Sequence, residues 1–220
     1  MPSILPTLAQ RGAVLLLAAL LSTGAQAQQR PAEVEPDSLP AGYRFPPGYH
    51  FNESADAGPN RLIYDFDQDG RPDVFGVVET SRGPQLMAWL SRRAAQPPLT
   101  HPLSDELVCC ASLTRSGSTV VASSDGQRYF EHYKFRYNPV LHDFDLIAVD
   151  TESLGDAAND GGAGTTSADL LTGQYVAALH TYDAKQRRLL ADPVVRKTLR
   201  LPQHFTLTNF DQALKFLQTL

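Results

Sequence analysis

The sequence is short of several features that would assign it quickly. No apolar run reaches the roughly 18 residues a membrane-spanning helix needs, which excludes a multi-pass membrane protein. Positive charge is not in surplus: 19 Lys and Arg stand against 24 Asp and Glu, a formal net charge of −5. A general nucleic-acid binder needs a basic face, so that class is excluded too. The six histidines, His50, His101, His132, His142, His180 and His204, show neither HxxxH nor HExxH spacing, and a zinc hydrolase has no handle. There is no GxSxG elbow and no GxxxxGKS phosphate loop. No segment recurs at a fixed period, which argues against a solenoid or a multi-bladed propeller.

Cysteine is nearly missing. The two present, Cys109 and Cys110, are neighbours. Adjacent Cα atoms lie about 3.8 Å apart, below the usual 4.4–6.8 Å span of a disulfide. A vicinal bond therefore needs a distorted peptide, and buried thiols or an intermolecular bond are the alternatives. CC is not the CxxC of a redox motif, so oxidoreductase chemistry gains no support.

What remains is ample for a core. The chain has 220 residues, 42% of them hydrophobic and 20% charged, which suits one ordinary domain and excludes wholesale disorder. Residues 1–27 read as a signal peptide: Arg11, then the apolar run Ala13 to Leu21, then Ala25-Gln26-Ala27 in the small-x-small cleavage pattern. Nine apolar residues make a helix of about 14 Å, well short of a bilayer's roughly 30 Å core. The expectation is export to the periplasm or the medium, with no membrane span after cleavage. Cleavage removes one basic residue and no acidic one, leaving 18 against 24. Residues 28–38 read as a flexible leader rich in Pro, Ala and Glu, and residues 39–220 as one globular domain.

Within that domain short apolar runs alternate with turn signals, the pattern of a strand-rich fold. Strands are expected at 61–66, 73–80, 85–91, 107–113, 119–123, 127–137, 143–151 and 174–182. The clearest is 127–137, where Tyr129, Tyr133, Phe135 and Tyr137 fall on one face and His132, Lys134 and Arg136 on the other. Asn138-Pro139 predicts a turn into the next strand and an antiparallel hairpin. Residues 155–167 read as a mobile surface loop, and 199–207 as a last strand interrupted at Pro202. Ala213, Leu214, Phe216, Leu217 and Leu220 recur at helical spacing, with Thr208 or Asn209 as a cap. The predicted class is mainly β, an antiparallel sandwich-like single domain with a short C-terminal helix and one calcium-loop hairpin.

One segment carries chemistry. Asp65-Phe66-Asp67-Gln68-Asp69-Gly70-Arg71-Pro72-Asp73 has the form DxDxDGxxD. Carboxylates at alternate positions turn toward one point when the chain curls, and Gly70 permits the backbone that the curl requires. Asp65, Asp67, Asp69, the carbonyl of Arg71 and Asp73 together approach the six to eight oxygens that Ca²⁺ takes. Zn²⁺ would prefer His or Cys, and the loop has neither. An EF-hand needs a carboxylate at the twelfth position, which here is Gly76, and helices on both sides, where the flanks are β-type. The expectation is therefore a single structural Ca²⁺ in a loop joining two strands, empty loops being strained by mutual repulsion. The bland alternative is an Asp-rich turn held by side-chain to backbone bonds without metal.

The run Asp65 to Val74 resembles the FG-GAP or VCBS type of calcium loop, found in integrin α-subunit propellers and in secreted bacterial proteins. That resemblance implies Ca²⁺ ligands at Asp65, Asp67, Asp69, Arg71 (carbonyl) and Asp73. It rests on one copy, and so does not carry the propeller fold with it. The order of features also resembles a family of secreted bacterial proteins with no assigned activity. They have a Leu-Pro-x-Gly-Tyr start, one acidic loop, an aromatic strand, and a Leu-Thr-Gly-x-Tyr segment, here Leu171 to Tyr175.

No residue is assigned a catalytic role. Glu131, His132, Asp143, Asp145 and His180 have no spacing that links them, and Asn52-Glu53-Ser54 matches a glycosylation sequon, which means little if the source is bacterial as the resemblance implies. The expected function is an exported, non-enzymatic calcium-binding protein that offers a surface to a protein or glycan partner. The alternatives are an envelope-polymer hydrolase with dispersed active residues, or an inhibitor or immunity-like envelope protein.

Overall fold

The β-rich pattern folds into two antiparallel sheets packed face to face. The computed structural model describes residues 39, 43–52, 60–93, 96–102, 111–125, 128–155 and 162–220. The expected signal peptide and leader, Cys109 and Cys110, and Glu53 and Ser54 of the sequon lie outside the described residues. The described residues all belong to one unit of the chain.

The smaller sheet holds β1 (His50–Phe51), β2 (Arg61–Tyr64), β3 (Asp73–Glu79), β4 (Gln85–Trp89) and β5 (Leu99–Pro102). Its order is β1-β3-β4-β5, with β2 also on β3. The larger sheet is a meander of β6 (Ala111–Ser116), β7 (Thr119–Asp125), β8 (Tyr129–Asn138), β9 (Asp143–Ser153), β10 (Ala163–Asp169), β11 (Gln174–Asp183) and β12 (Arg188–Ala191). A further strand, β13 (Val195–Thr198), pairs with β11 beside β12. The helix α1 (Phe210–Leu217) ends the fold.

Period-two alternation decides which side chains meet. Phe75 and Val77 of β3 and Leu86 and Ala88 of β4 face the larger sheet and join Leu113, Val120, Tyr133, Phe135 and Phe144 in the main core. The phenyl rings of Phe75 and Phe144 lie 5.1 Å apart, edge to face, and Phe66 meets Phe144 at 5.3 Å. The opposite face of β3 and β4 is covered as well. Val74, Val78, Met87 and Trp89 pack there with Phe51, Tyr43, Phe45 and Tyr49. Gly76 makes room for this layer, since a Cβ would meet the Phe51 ring at 2.7 Å. Burial on both faces explains why β3 reads as a nearly unbroken apolar run.

The 127–137 strand is realised as β8, with Tyr133 and Phe135 buried as the alternation requires. Its hairpin with β9 closes at Asn138 opposite Asp143. The pairing then skips a residue, from Phe135↔Leu146 to Lys134↔Ala148, so Ile147 is an added bulge residue. The bulge shifts the inward phase of β9 from Phe144 and Leu146 to Val149.

Two expectations are corrected. Residues 163–167 of the expected mobile loop belong to β10, whose Ala, Gly, Thr and Ser residues pair on both sides with β9 and β11. Residues 199–207 do not form a strand. The closing strand comes earlier, as β13, and the later stretch makes a single bridge, Thr206 to Asp145. It leads through a short 3-10 turn, Leu207–Asn209, into α1. There Phe210 and Ala213 are fully buried, the Phe210 ring against Tyr133 at 4.9 Å and Phe135 at 5.4 Å.

Candidate metal centre

The acidic segment is the connection between β2 and β3, whose register runs from Arg61↔Gly76 to Tyr64↔Asp73. Eight residues must reverse the chain at the edge of the core. Gln68 and Gly70 do so with φ of 58° and 84°, the left-handed region where Gly is at ease and a side-chain-bearing residue is not.

The carboxylates themselves fix the curl. Asp65 accepts from the Asp69 N–H at 3.0 Å and the Gly70 N–H at 2.9 Å. Asp67 Oδ1 accepts from the Asp69 N–H at 3.1 Å, and Asp69 Oδ1 from the Arg71 N–H at 2.9 Å. Asp73 sits beneath the loop with no solvent exposure. Its Oδ2 accepts from the Phe66 and Asp67 amides at 2.8 and 3.2 Å, and its Oδ1 from the Ser91 amide at 2.6 Å.

Three of the four aspartates converge. Asp65, Asp67 and Asp73 each offer one carboxylate oxygen, and these oxygens lie within 4.8 Å of one another. The group can hold a metal ion. Asp69 does not share in this convergence: its Oδ2 takes the hydroxyl hydrogen of Ser91. The Asp67 Oδ2 atom is buried and has no hydrogen-bond partner. The Arg92 Nε makes an ion pair with it at 3.6 Å, beyond hydrogen-bond reach.

The electrostatics follow from this geometry. Burial drives the Asp73 pKa up to about 6, with Asp67 adding repulsion and the three amide donors opposing both. Burial also raises Asp67, against its backbone bond from Asp69. Asp69 moves the other way, lowered by the Ser91 hydroxyl. Tyr43, from the layer over β3 and β4, has a buried hydroxyl without a hydrogen-bond partner. Its pKa is raised by burial and then by Asp73, Asp67 and Asp69. On the other side, Tyr137 of β8 is raised by burial and by Asp67. The site thus combines negative charge, low solvation and an unsatisfied oxygen.

The chain matches no family model, no curated protein and no solved structure. The site therefore stands on its own geometry.

Ser91, Arg92 and Tyr43 were not singled out in the sequence. A signal existed for the first two: if 73–80 and 85–91 form a hairpin, the end of the second strand must return beside Asp73. Val74↔Trp89 is the register that delivers it.

The other chemistry-bearing residues do not gather. Glu131 faces inward and accepts from the Tyr133 hydroxyl at 2.7 Å. Asp143 and Asp145 lie near the opposite end of β9, roughly 25 Å away at strand spacing. There Asp143 accepts from Thr208 Oγ1 at 2.5 Å, while Asp145 pairs with His204 Nε2 at 2.8 Å and Asn138 Nδ2 at 3.0 Å. Thr208 thus braces the helix entry, while Asn209, the other expected cap, does hold the N-cap position of α1, its side chain accepting from the Thr206 amide and not from the helix. His180 pairs across from Ala163 and Ala191.

Strand register does align Ser123, His132 and Asp150 across β7, β8 and β9. The contacts are not those of a catalytic triad. His132 meets Ser123 Oγ through Nδ1 at 2.8 Å, and the Asp150 carboxylate bonds Lys134 Nζ and Ser167 Oγ, each at 2.6 Å.

Proposed function

We propose that this is an exported, non-enzymatic calcium-binding protein. One Ca²⁺ braces the β2–β3 hairpin, and the remaining surface serves a protein or glycan partner in the envelope or outside the cell. The observation that carries the reading is the Asp67 Oδ2 atom, buried and without a hydrogen bond among two other converging carboxylates. A buried carboxylate oxygen without a hydrogen bond, balanced only by the half-exposed Arg92 guanidinium at 3.6 Å, is costly, and a closer cation supplies what it lacks. Asp65, Asp67 and Asp73 would hold the ion, and Asp73 Oδ1, with one bond accepted, keeps a lone pair for it. The loop's resemblance implies Asp69 and the Arg71 carbonyl as further oxygens; Asp69 is instead engaged by the Ser91 hydroxyl and the Arg71 amide, which leaves the Arg71 carbonyl as the further donor proposed.

Calcium is favoured over other ions by the donor chemistry. All available donors are hard oxygens, which disfavours Zn²⁺, and Mg²⁺ dehydrates reluctantly and keeps several waters. The dispersal of Glu131, His132, Asp143 and Asp145 supports a binding role over hydrolysis. Calorimetric titration of the chelator-treated protein tests the metal directly. One ion is expected with an affinity of about 10⁻⁴–10⁻³ M, the range of extracellular modules. Asp67→Asn, close in shape and uncharged, should lose that heat, and an unchanged isotherm would refute the site.

A further inference from the structure

We infer that the inner face of the larger sheet, beyond the end of α1, is a binding trough for a neutral saccharide chain. The inference rests on the partner-binding role proposed above and supplies the partner's chemistry. Two cavities, of about 350 and 440 Å³, lie along this face and share Tyr129, Thr151 and Thr166 in their linings, so they form one continuous depression. That volume is in the range of ligand sites.

The chemistry changes abruptly from one rank of side chains to the next. The rank Tyr133–Val149–Ala168–Tyr175 runs straight across β8 to β11, and its first three residues are buried. Leu214 and Leu217 of α1 wall the same cavity. The next rank on the same face is Glu131–Thr151–Thr166–Ala177. A face sealed by the protein's own core would carry methyl groups there. Instead it carries a carboxylate and two hydroxyls, all half-buried.

Each of these groups suits a polyol. The Thr151 and Thr166 hydroxyls bond each other at 2.8 Å, so the pair still has one O–H to donate and lone pairs to accept with. Glu131 is bonded by the Tyr133 hydroxyl through Oε2 at 2.7 Å, which orients Oε1 as an acceptor. Tyr129 is about half exposed (49%) and offers ring surface for the C–H face of a sugar. Tyr175, with Lys197 Nζ 4.8 Å from its ring centre, gives a second aromatic wall. Among the described residues neither lining includes Lys or Arg, and Lys197 at the rim is already engaged by the Tyr175 ring and the Leu220 carbonyl, so little countercharge is left for an anionic ligand.

The test uses the full mature chain in calcium, with neutral β-1,4-glucan, β-1,4-N-acetylglucosamine and α-1,4-glucan tetrasaccharides as probes, followed by amide NMR and calorimetry. At least one probe should bind and shift the resonances of Thr151, Thr166 and Tyr129. Thr151→Val/Thr166→Val, which keeps shape and strand propensity, should weaken it about tenfold, and Tyr129→Ala should do so independently. Asp67→Asn should lose the calcium response and keep the saccharide shifts, which separates failure of the metal site from failure of the trough. No binding by any probe at 10 mM, binding insensitive to the valine pair, or self-association through this face would overturn the inference.

Discussion

The backbone amide of Ser91 donates to Asp73 Oδ1 at 2.6 Å across 18 residues of sequence. Through this bond the short 3-10 turn after β4, Ser91–Arg93, holds the carboxylate on which the β2–β3 loop is built. Asp73 is both the first residue of a core strand and the floor of the acidic loop, so any change in the loop's charge reaches the core directly.

The pKa of Asp73 gives the first prediction. In the folded, chelated protein its pKa is about 6, above the ordinary carboxylate value, because of burial. The folded state then binds the proton more tightly than the unfolded state between pH about 4 and 6, so this group's contribution to stability falls as pH rises through that window. Chemical denaturation at pH 5 and 7 in chelator should show the decline, and Asp73→Asn should flatten it. Calcium competes for the same oxygens and should reverse the slope, its affinity weakening below pH 6.

Gly70 gives the second. Its φ is +84° and no atom lies within 4 Å of a would-be Cβ, so Gly70→Ala tests backbone strain alone. A loss of about 1–2 kcal/mol is expected in denaturant melts. A neutral result would mean that the turn is not held in the left-handed region.

A third concerns the outer face of the larger sheet. Burial opposes ionisation of Asp150, but the bonds from Lys134 and Ser167 outweigh it and leave the pKa below the ordinary value. A depressed carboxylate stabilises the fold above its unfolded pKa and loses that contribution as pH falls through the folded one. Both partners are about a third exposed, so Lys134→Met should cost no more than about 1 kcal/mol at pH 7 and almost nothing near pH 3.

Phe210 gives the fourth. It is fully buried, with its ring among Tyr133, Phe135 and His101. Phe210→Ala should cost about 3–5 kcal/mol in denaturant melts. A smaller loss would show that α1 is only loosely docked.

The sandwich was legible wherever one face of a strand is buried and the other is not. Tyr133 and Phe135 alternate with His132 and Lys134, and β8 follows. The acidic loop was legible because its residues are consecutive. What escaped is what lacks a local signal. The strand β10 consists of Ala, Gly, Thr, Ser and Asp because its inner face borders the trough, so it reads as a loop. The strand β13 is exposed along its length and shows no alternation. Ile147 enters as a bulge that no period reveals. Ser91 and Arg92 reach the aspartate cluster only through the β3–β4 pairing, which requires the register to be known.

The most direct measurement is thermal unfolding of the protein in 10 mM calcium and in chelator. With an affinity of 0.1–1 mM, linkage gives about 1.4–2.7 kcal/mol, or about 3–10 °C in Tm for a domain of this size. The account predicts that upward shift for the native chain and its absence in Asp67→Asn. Superimposed curves for the native chain would contradict the claim that these carboxylates close around calcium.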